Sequence, residues 1–149
     1  MTAGADVLVL GAGPVGCTVA LALQGSRHSV RVVDAHPSAA SSFRPIALSH
    51  ASRLIFERTG VWGAFPVTPI TTIHVSQAGA FGRTRMEAAD AGVPALGYVT
   101  QYAELLAALR ARIDIHDQAG SEARCTVHAE GAAPDGRERR YAQDAVVAR

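Results

Sequence analysis

Lysine is absent from this sequence, since all 14 basic residues of the 149-residue chain are arginine. The absence excludes both a Schiff-base lysine and the lysine with which a P-loop contacts nucleotide phosphates. Aromatic residues are also scarce, at 5%, whereas alanine and glycine are abundant. This composition favours close packing of helices on a sheet over a bulky aromatic core. A hydrophobic content of 48% is enough for one ordinary domain.

The net charge and the positions of cysteine and histidine exclude further classes of function. The net charge of +1 comes without a basic stripe or an acidic tail, so we predict no nucleic-acid partner. Cys17 and Cys125 lie far apart and match no disulfide or zinc spacing, which fits a reducing cytoplasm. The histidines are scattered, and none forms an HxxxH or HExxH spacing. We therefore expect no metal site.

Residues 7–23 form an uncharged run, which raises the question of a signal peptide or a membrane span. The short leader before this run contains Asp6 and no arginine, whereas a secretory signal begins with positive charge. The run is slightly short for a bilayer. In addition, the sequence Gly-Ala-Gly-Pro interrupts it where a strand-to-helix turn would fall. We interpret the run as a strand, a turn and a buried helix.

The turn in that run has the spacing of a dinucleotide-binding loop. A near-continuous apolar strand over residues 6–10 leads into a G-x-G-x-x-G motif, which opens a helix that extends to about Gln24. A second strand, over residues 29–34, ends in Asp34, 18 residues beyond the last motif glycine. An acidic residue about 20 positions on accompanies this motif in Rossmann βαβ units. The candidate loop residues are Gly11, Ala12, Gly13, Pro14, Val15 and Gly16.

Each part of this unit has a chemical task. Gly11 permits the tight turn, Gly13 lets the backbone approach a pyrophosphate, and Gly16 allows the helix to pack closely on the strand. The N–H groups and the dipole at the helix N-terminus favour phosphate. The Asp34 carboxylate suits ribose hydroxyls and repels a 2′-phosphate, which disfavours NADP as the primary ligand. The competing interpretation is that the glycine turn serves only packing and that Asp34 is a solvated acid at the end of a strand. Cys17 is expected to fill space rather than to act as a reactive thiol.

The rest of the chain predicts further helices and strands around this βαβ unit. The spacing of apolar residues indicates one helix from about Ser49 to Gly60 and another that begins at Tyr102 and carries an apolar stripe as far as Ile113. Strands are predicted near residues 73–76, 84–88, 113–116, 122–130 and 141–148, with a turn at 134–136. The fold class is therefore α/β, a Rossmann-like βαβ unit with an added mixed or antiparallel sheet.

Four segments resemble the FAD-dependent aromatic hydroxylases, the class A flavoprotein monooxygenases, and especially their ubiquinone-biosynthesis branch. They are the glycine loop with Asp34 and residues 44–49 (RPIALS), 70–76 (ITTIHVS) and 92–99 (GVPALGYV). The resemblance implies that FAD is the cofactor and that NAD(P)H supplies electrons. It also implies that reduced flavin and O2 hydroxylate an aromatic or quinone-precursor substrate. In such chemistry the cofactor reacts and the protein positions it, so no side chain is predicted to be catalytic.

The resemblance gives two more residues a role by their position. It implies that Arg44 lies along the FAD and that Gln101, at the start of the third helix, approaches the phosphate and ribitol region of the flavin. Many relatives have an acidic residue, asparagine and arginine around positions 101–103, whereas this chain has glutamine, tyrosine and alanine. On residue type alone, the alternatives are an exposed loop cation at Arg44 and a helix-capping amide at Gln101.

The resemblance also predicts how the chain is organised. Residues 1–149 are expected to form a truncated N-terminal FAD-binding domain, within which residues 66–100 begin a substrate-domain sheet. Three hypotheses stay open: the cofactor part of a hydroxylase that is inactive alone, a stand-alone or vestigial dinucleotide-binding protein, and a fragment of an NAD-dependent dehydrogenase. An exposed sheet edge predicts aggregation or a homodimer. The expected location is the cytoplasm, with peripheral association at the inner membrane face left open.

Overall fold

The computed structural model describes residues 4–34, 43–79, 81–118, 120, 122–131 and 142. The strands in these ranges are β1 (Val7–Leu10), β2 (Val30–Val33), β3 (Pro45–Ser49), β4 (Thr68–Ile70), β5 (Thr72–Ser76), β6 (Arg83–Glu87), β7 (Gly97–Gln101), β8 (Ile115–His116) and β9 (Cys125–His128). The helices are α1 (Pro14–Leu23), α2 (His50–Arg58) and α3 (Tyr102–Arg110). The predicted turn at 134–136 lies outside the described residues, as does the predicted strand at 141–148 apart from residue 142.

The predicted βαβ unit is present. β1 and β2 pair in parallel, with Val7 opposite Val30 and Leu10 opposite Val33, and α1 connects them. β8 joins the outer side of β2 and β9 joins the other side of β1, both in parallel, which gives the order β8-β2-β1-β9. Val9, in the centre of β1, is fully buried, as expected for a parallel strand covered on both faces.

The uncharged run over residues 7–23 folds as predicted into β1, a turn and α1. Small residues on α1 (Gly16, Cys17 and Ala20) are buried, which lets this helix lie close to the sheet. Across the described ranges, no helix combines the length and the apolar character that crossing a membrane requires.

The added strands are antiparallel. β7 pairs with β3 on one side and with β4 on the other, while β5 and β6 form a separate hairpin. The sequence predicts β5 and β6 closely but assigns no strand to β3, β4 or β7. β3 and β4 each contain a proline and β7 begins with a glycine, which weakens the local signal for a strand. Pairing with β7, rather than local pattern, therefore defines β3 and β4.

Two helices continue directly from strands of this antiparallel sheet. β3 runs into α2, and β7 runs into α3. The start of α2 agrees with the prediction, because Ser49 is its N-cap and the Ser49 hydroxyl accepts a hydrogen bond of 3.1 Å from the Ser52 N–H. The direct connection means that the pairing of β3 with β7 also sets the relative positions of α2 and α3.

The apolar stripe predicted for the third helix is confirmed. α3 buries Leu105, Leu106 and Leu109 in the core that it shares with α1 and β1, and each such burial contributes roughly 1.5–3 kcal/mol. The helix ends at Arg110 and does not continue to Ile113, because the chain tightens into a turn before it enters β8. β8 and β9 are shorter than the predicted strands, since only residues opposite β2 and β1 pair.

Candidate functional site

One cleft lies where the order of the parallel sheet reverses. The chain leaves β1 towards β2 on one side, whereas β9 lies on the other side of β1. In open parallel sheets, ligands bind at such a point, beyond the carboxyl ends of the strands. The cleft has a volume of about 550 Å³, within the usual range for cofactor sites. It is named the glycine-loop cleft, and its lining residues are Gly11, Ala12, Gly13, Pro14, Val15, Asp34, Arg44, Ile46, Tyr102, Arg110, Ala129, Glu130 and Gly131.

Two glycines hold the loop against its neighbours. Gly11 has a φ of +95°, in the left-handed region that favours glycine, and a Cβ there would lie 2.8 Å from the backbone of Ala129. A Cβ on Gly16 would lie 1.9 Å from the carbonyl oxygen of Gly11. A side chain at either position would therefore displace the loop from β9 or α1 from β1.

Gly13 differs from these two glycines because the space beside it belongs to the cleft. Its φ of −74° is open to other residues, and a Cβ there would meet only the Tyr102 hydroxyl oxygen, at 3.9 Å. Packing does not demand glycine at this position. The missing side chain instead leaves the backbone open to a ligand.

α1 presents its N-terminus to the cleft. Gly13 is the N-cap and has no side chain to cap the helix, while Pro14 occupies the first turn. The first N–H groups of a helix have no partner within the helix, and together with the helix dipole they attract an anion. This first turn contains no acidic residue. The arrangement therefore suits a phosphate or a pyrophosphate.

Asp34 lies beside the same loop, directly after β2. Its N–H donates a hydrogen bond of 3.2 Å to the His116 carbonyl, which holds the backbone against β8. The Asp34 carboxylate pairs with the guanidinium of Arg110, from the last turn of α3, through Oδ2 and Nη2. Arg110 also donates a hydrogen bond of 2.9 Å from Nε to the Ala12 carbonyl oxygen. Arg110 thus joins the glycine loop, the end of β2 and α3.

Sequence reasoning missed Arg110. An arginine in the last turn of a helix is a common feature, because it complements the helix dipole, and nothing in the local pattern separates Arg110 from the nearby Arg112. The two differ only in tertiary position, since Arg110 lines the cleft and Arg112 does not.

Arg44 and Tyr102 form another wall of the cleft. The register of β3 and β7 places Pro45 opposite Gln101, so Arg44 and Tyr102 are neighbours across the sheet. The Tyr102 N–H donates a hydrogen bond of 2.9 Å to the Arg44 carbonyl oxygen. The Arg44 guanidinium lies over the Tyr102 ring, 4.5 Å from its centroid, in a cation–π contact. The structure therefore brings Arg44 into the cleft together with Tyr102, which the sequence assigned only to the apolar stripe.

Gln101 is not brought into the glycine-loop cleft. It is the N-cap of α3, although its side chain makes no capping hydrogen bond. Gln101 contributes to a separate, smaller depression of about 170 Å³, beside Thr68, Val99 and Glu104. The remaining predicted residues, apart from Gly16 at its packing position, lie together in the larger cleft.

Cys17 lies beneath the cleft, where it fills space as expected. Its side chain is fully buried, and its thiol donates a hydrogen bond of 3.2 Å to the Ala12 carbonyl oxygen. Burial raises the pKa of the Cys17 thiol to about 11, so the reactive thiolate is disfavoured at neutral pH. In the part of the chain that the structure describes, no group of three or more His, Cys, Asp or Glu residues could hold a metal ion.

Comparison with known proteins gives a family match over nearly the whole chain. The family model described as FAD dependent oxidoreductase matches residues 6–146. A curated relative, ubiquinone hydroxylase UbiM of Neisseria meningitidis serogroup C, is 37% identical over 75 residues. That alignment covers 47% of this chain and 16% of the relative, so the chain spans a small part of the relative's length.

Solved structures share the fold. A mutant of 2-methyl-3-hydroxypyridine-5-carboxylic acid oxygenase has a TM-score of 0.55 at 20% identity, covering 76% of this chain and 31% of that chain. RebC from a ligand-soaked crystal has a TM-score of 0.55 at 22% identity, with coverages of 90% and 35%. A variant of HpxO from Klebsiella pneumoniae, complexed with FAD, has a TM-score of 0.52 at 19% identity, with coverages of 69% and 27%. These likenesses confirm the predicted Rossmann-like α/β fold.

Proposed function

The chain belongs to the family of FAD-dependent oxidoreductases, and on that premise we propose that the glycine-loop cleft is its FAD site. The observation that carries this proposal is the convergence of an uncapped helix N-terminus and Asp34 in one cleft. The helix N-terminus suits the pyrophosphate, and the carboxylate suits the adenosine ribose. When bound, FAD supplies the redox chemistry, while the residues of this chain bind and orient it.

Each site residue predicted from the sequence has a proposed task toward the cofactor. The loop of residues 11–16 holds the pyrophosphate through main-chain N–H groups at the start of α1. Pro14 and Gly11 do not donate, because proline has no N–H and the Gly11 N–H donates to the Val33 carbonyl oxygen. Asp34 accepts hydrogen bonds from ribose hydroxyls. Arg44 lies along the cofactor from the wall that it shares with Tyr102, where a guanidinium offsets diphosphate charge. For Gln101 the support is the family resemblance alone, because this residue lines a different depression. No side chain of this chain is assigned a catalytic role.

The proposed reaction is hydroxylation of an aromatic, ubiquinone-precursor-like substrate, with NAD(P)H as electron donor and O2 as oxidant. Its support is the resemblance of residues 44–49, 70–76 and 92–99 to the ubiquinone-biosynthesis hydroxylases, and the 37% identity to a protein named ubiquinone hydroxylase. We propose residues 1–149 as the FAD-binding part and 66–100 as the start of a substrate-domain sheet. The family match gives no support to an NAD-dependent dehydrogenase.

Two associations complete the proposal. A homodimer through an exposed sheet edge is supported by β9, which is the outermost strand beside β1 among the described strands and is mostly exposed. Peripheral attachment to the inner membrane face is proposed from the family resemblance. Sedimentation velocity and flotation with anionic vesicles test these two statements, and a monomer that stays in the aqueous fraction would contradict both.

Titration with FAD, followed by flavin fluorescence, tests the site. We expect the wild-type chain to bind FAD and Asp34→Asn to bind it roughly tenfold more weakly, because an amide accepts weaker hydrogen bonds than a carboxylate. Asp114→Asn makes the same change at an exposed position outside the cleft and should keep the wild-type affinity. Equal affinities of Asp34→Asn and the wild type would remove Asp34 from the site.

Oxygen consumption in the presence of NADH or NADPH separates cofactor binding from turnover. We expect these 149 residues alone to hold FAD without consuming oxygen, because they align with only 16% of the length of the ubiquinone hydroxylase relative. Binding of NADH in preference to FAD would instead favour the dehydrogenase hypothesis.

A further inference from the structure

We infer that Arg110 is a positioning residue for the adenosine end of the cofactor, because it holds the Asp34 carboxylate and the glycine loop at a fixed separation. The inference rests on the proposed FAD site and adds a residue that lies outside all four segments of the family resemblance. Its starting point is that one side chain contacts both Asp34 and the glycine loop, the latter at the Ala12 carbonyl oxygen.

Arg110 makes its two contacts through different atoms of one rigid group. Nε donates to the carbonyl oxygen of Ala12, and Nη2 donates to Oδ2 of Asp34. A guanidinium is planar, so the directions of its donors are fixed relative to one another. In an adenosine diphosphate group, one methylene and one ester oxygen join the ribose ring to the first phosphorus. The two binding groups must therefore be spaced correctly, and Arg110 sets that spacing.

The ion pair leaves Asp34 able to accept from a ligand. Arg110 contacts Oδ2, whereas a carboxylate has about four lone-pair sites on its two oxygens. The side chains of Arg110 and Asp34 are 27% and 13% exposed, and both line the glycine-loop cleft. The pair thus lies on the wall of the cleft and not in the core, so a ribose diol can reach the carboxylate while Arg110 still orients it.

Rigid elements hold Arg110 in place. Leu105 and Leu109, on the same helix, are 1% and 0% exposed, so the second half of α3 is anchored in the core. The Gln24 side-chain amide donates a hydrogen bond of 3.0 Å to the Arg112 carbonyl oxygen, which ties the chain just after α3 to the end of α1. A site supported by packed helices holds its geometry better than a site on loops.

Binding of nucleotides with and without ribose hydroxyls tests this role. Affinities for FAD, ADP, 2′-deoxy-ADP and 3′-deoxy-ADP are measured by calorimetry for the wild type, Arg110→Ala, Arg110→Lys and Arg112→Ala. We expect the wild type to prefer ADP to at least one deoxy analogue by roughly fivefold or more. Arg110→Ala should bind FAD roughly tenfold more weakly than the wild type, and its ratio of ADP affinity to deoxy-ADP affinity should fall towards one. Arg112→Ala removes the same charge outside the cleft and should behave as the wild type.

The ratio of ADP to deoxy-ADP affinity is the decisive readout. A merely structural role would weaken all ligands equally and leave this ratio unchanged, which would overturn the inference. If Arg110→Ala does not fold, Arg110→Lys carries the same test, because lysine keeps the charge but lacks the planar fork. Its ratio should then fall below that of the wild type, and a wild-type ratio would overturn the inference. If the wild type fails to bind FAD, the proposed function is overturned. If the wild type binds FAD and Arg110→Ala binds it equally well, only the role of Arg110 is overturned.

Discussion

Replacing Gly16 with alanine is expected to destabilise the whole fold. The new Cβ would lie 1.9 Å from the Gly11 carbonyl oxygen and 3.2 Å from the Ala129 Cβ. Ordinary contacts between heavy atoms begin near 3.5 Å, so α1 would have to move by roughly 1.5 Å. Because this helix also buries Cys17 and Ala20, we expect a loss of about 3 kcal/mol, the upper end for overpacking and a large part of a small domain's stability.

Replacing Gly13 with alanine makes the same chemical change three residues earlier and is the matched control. A Cβ on Gly13 would meet only the Tyr102 hydroxyl, at an ordinary distance of 3.9 Å. Replacing the N-cap glycine with alanine lowers the free energy of unfolding by up to about 1 kcal/mol. Alanine also reduces the conformational entropy of the unfolded chain, which offsets a similar amount. The stability should therefore change by less than about 1 kcal/mol. The methyl group would occupy the cleft where the cofactor approaches, so we expect FAD affinity to fall roughly tenfold or more.

Urea unfolding followed by circular dichroism, combined with FAD titration, separates the two effects. The expected pattern is a lower unfolding midpoint for Gly16→Ala, and a near-normal midpoint with weak FAD binding for Gly13→Ala. A wild-type midpoint for Gly16→Ala would refute the packing argument. A wild-type FAD affinity for Gly13→Ala would show that the ligand does not approach this part of the loop.

Three predictions concern other parts of the chain. The hydrogen bond from the Ser29 N–H is the main cause that lowers the pKa of Asp6 from its ordinary 3.8. The stability that Asp6 contributes is therefore present above its unfolded-state pKa. That stability is lost as the pH falls through the folded-state pKa. Asp6→Asn should therefore flatten the plot of unfolding midpoint against pH below about pH 5, and an unchanged acid side would contradict this. A disulfide reagent should react quickly with the exposed Cys125 and slowly with the buried Cys17, whose pKa is raised to about 11. A fast phase that survives Cys125→Ser would refute that assignment. Ser49→Ala should lower the free energy of unfolding by about 1 kcal/mol, because it removes the N-cap hydrogen bond of α2, and an unchanged urea midpoint would argue against a role for this cap.

Local sequence signals were sufficient for the elements whose pattern repeats within a few residues. The strand, loop and helix over residues 7–23 follow from an apolar run, a glycine motif and a helical continuation, and the structure has all three. The stripe of Leu105, Leu106 and Leu109 predicted α3 because helical spacing alone gathers those residues on one face. β3, β4 and β7 could not be predicted in this way, because a proline or glycine weakens the local pattern of each strand and their pairing with one another defines them.

Some residues of the candidate site could likewise be predicted from local sequence signals, whereas others could not. By itself, the sequence determined the glycine loop and Asp34, because a phosphate-binding turn needs glycines at set positions and the next parallel strand must end beside it. Only the tertiary structure decided which side chains complete the cleft. The pairing of β3 with β7 places Arg44 on Tyr102, and the packing of α3 brings Arg110 to Asp34 across 76 residues of chain. The tertiary structure also places Gln101 in a different depression, outside that cleft. Such contacts depend on strand register and helix packing, which no short stretch of sequence encodes.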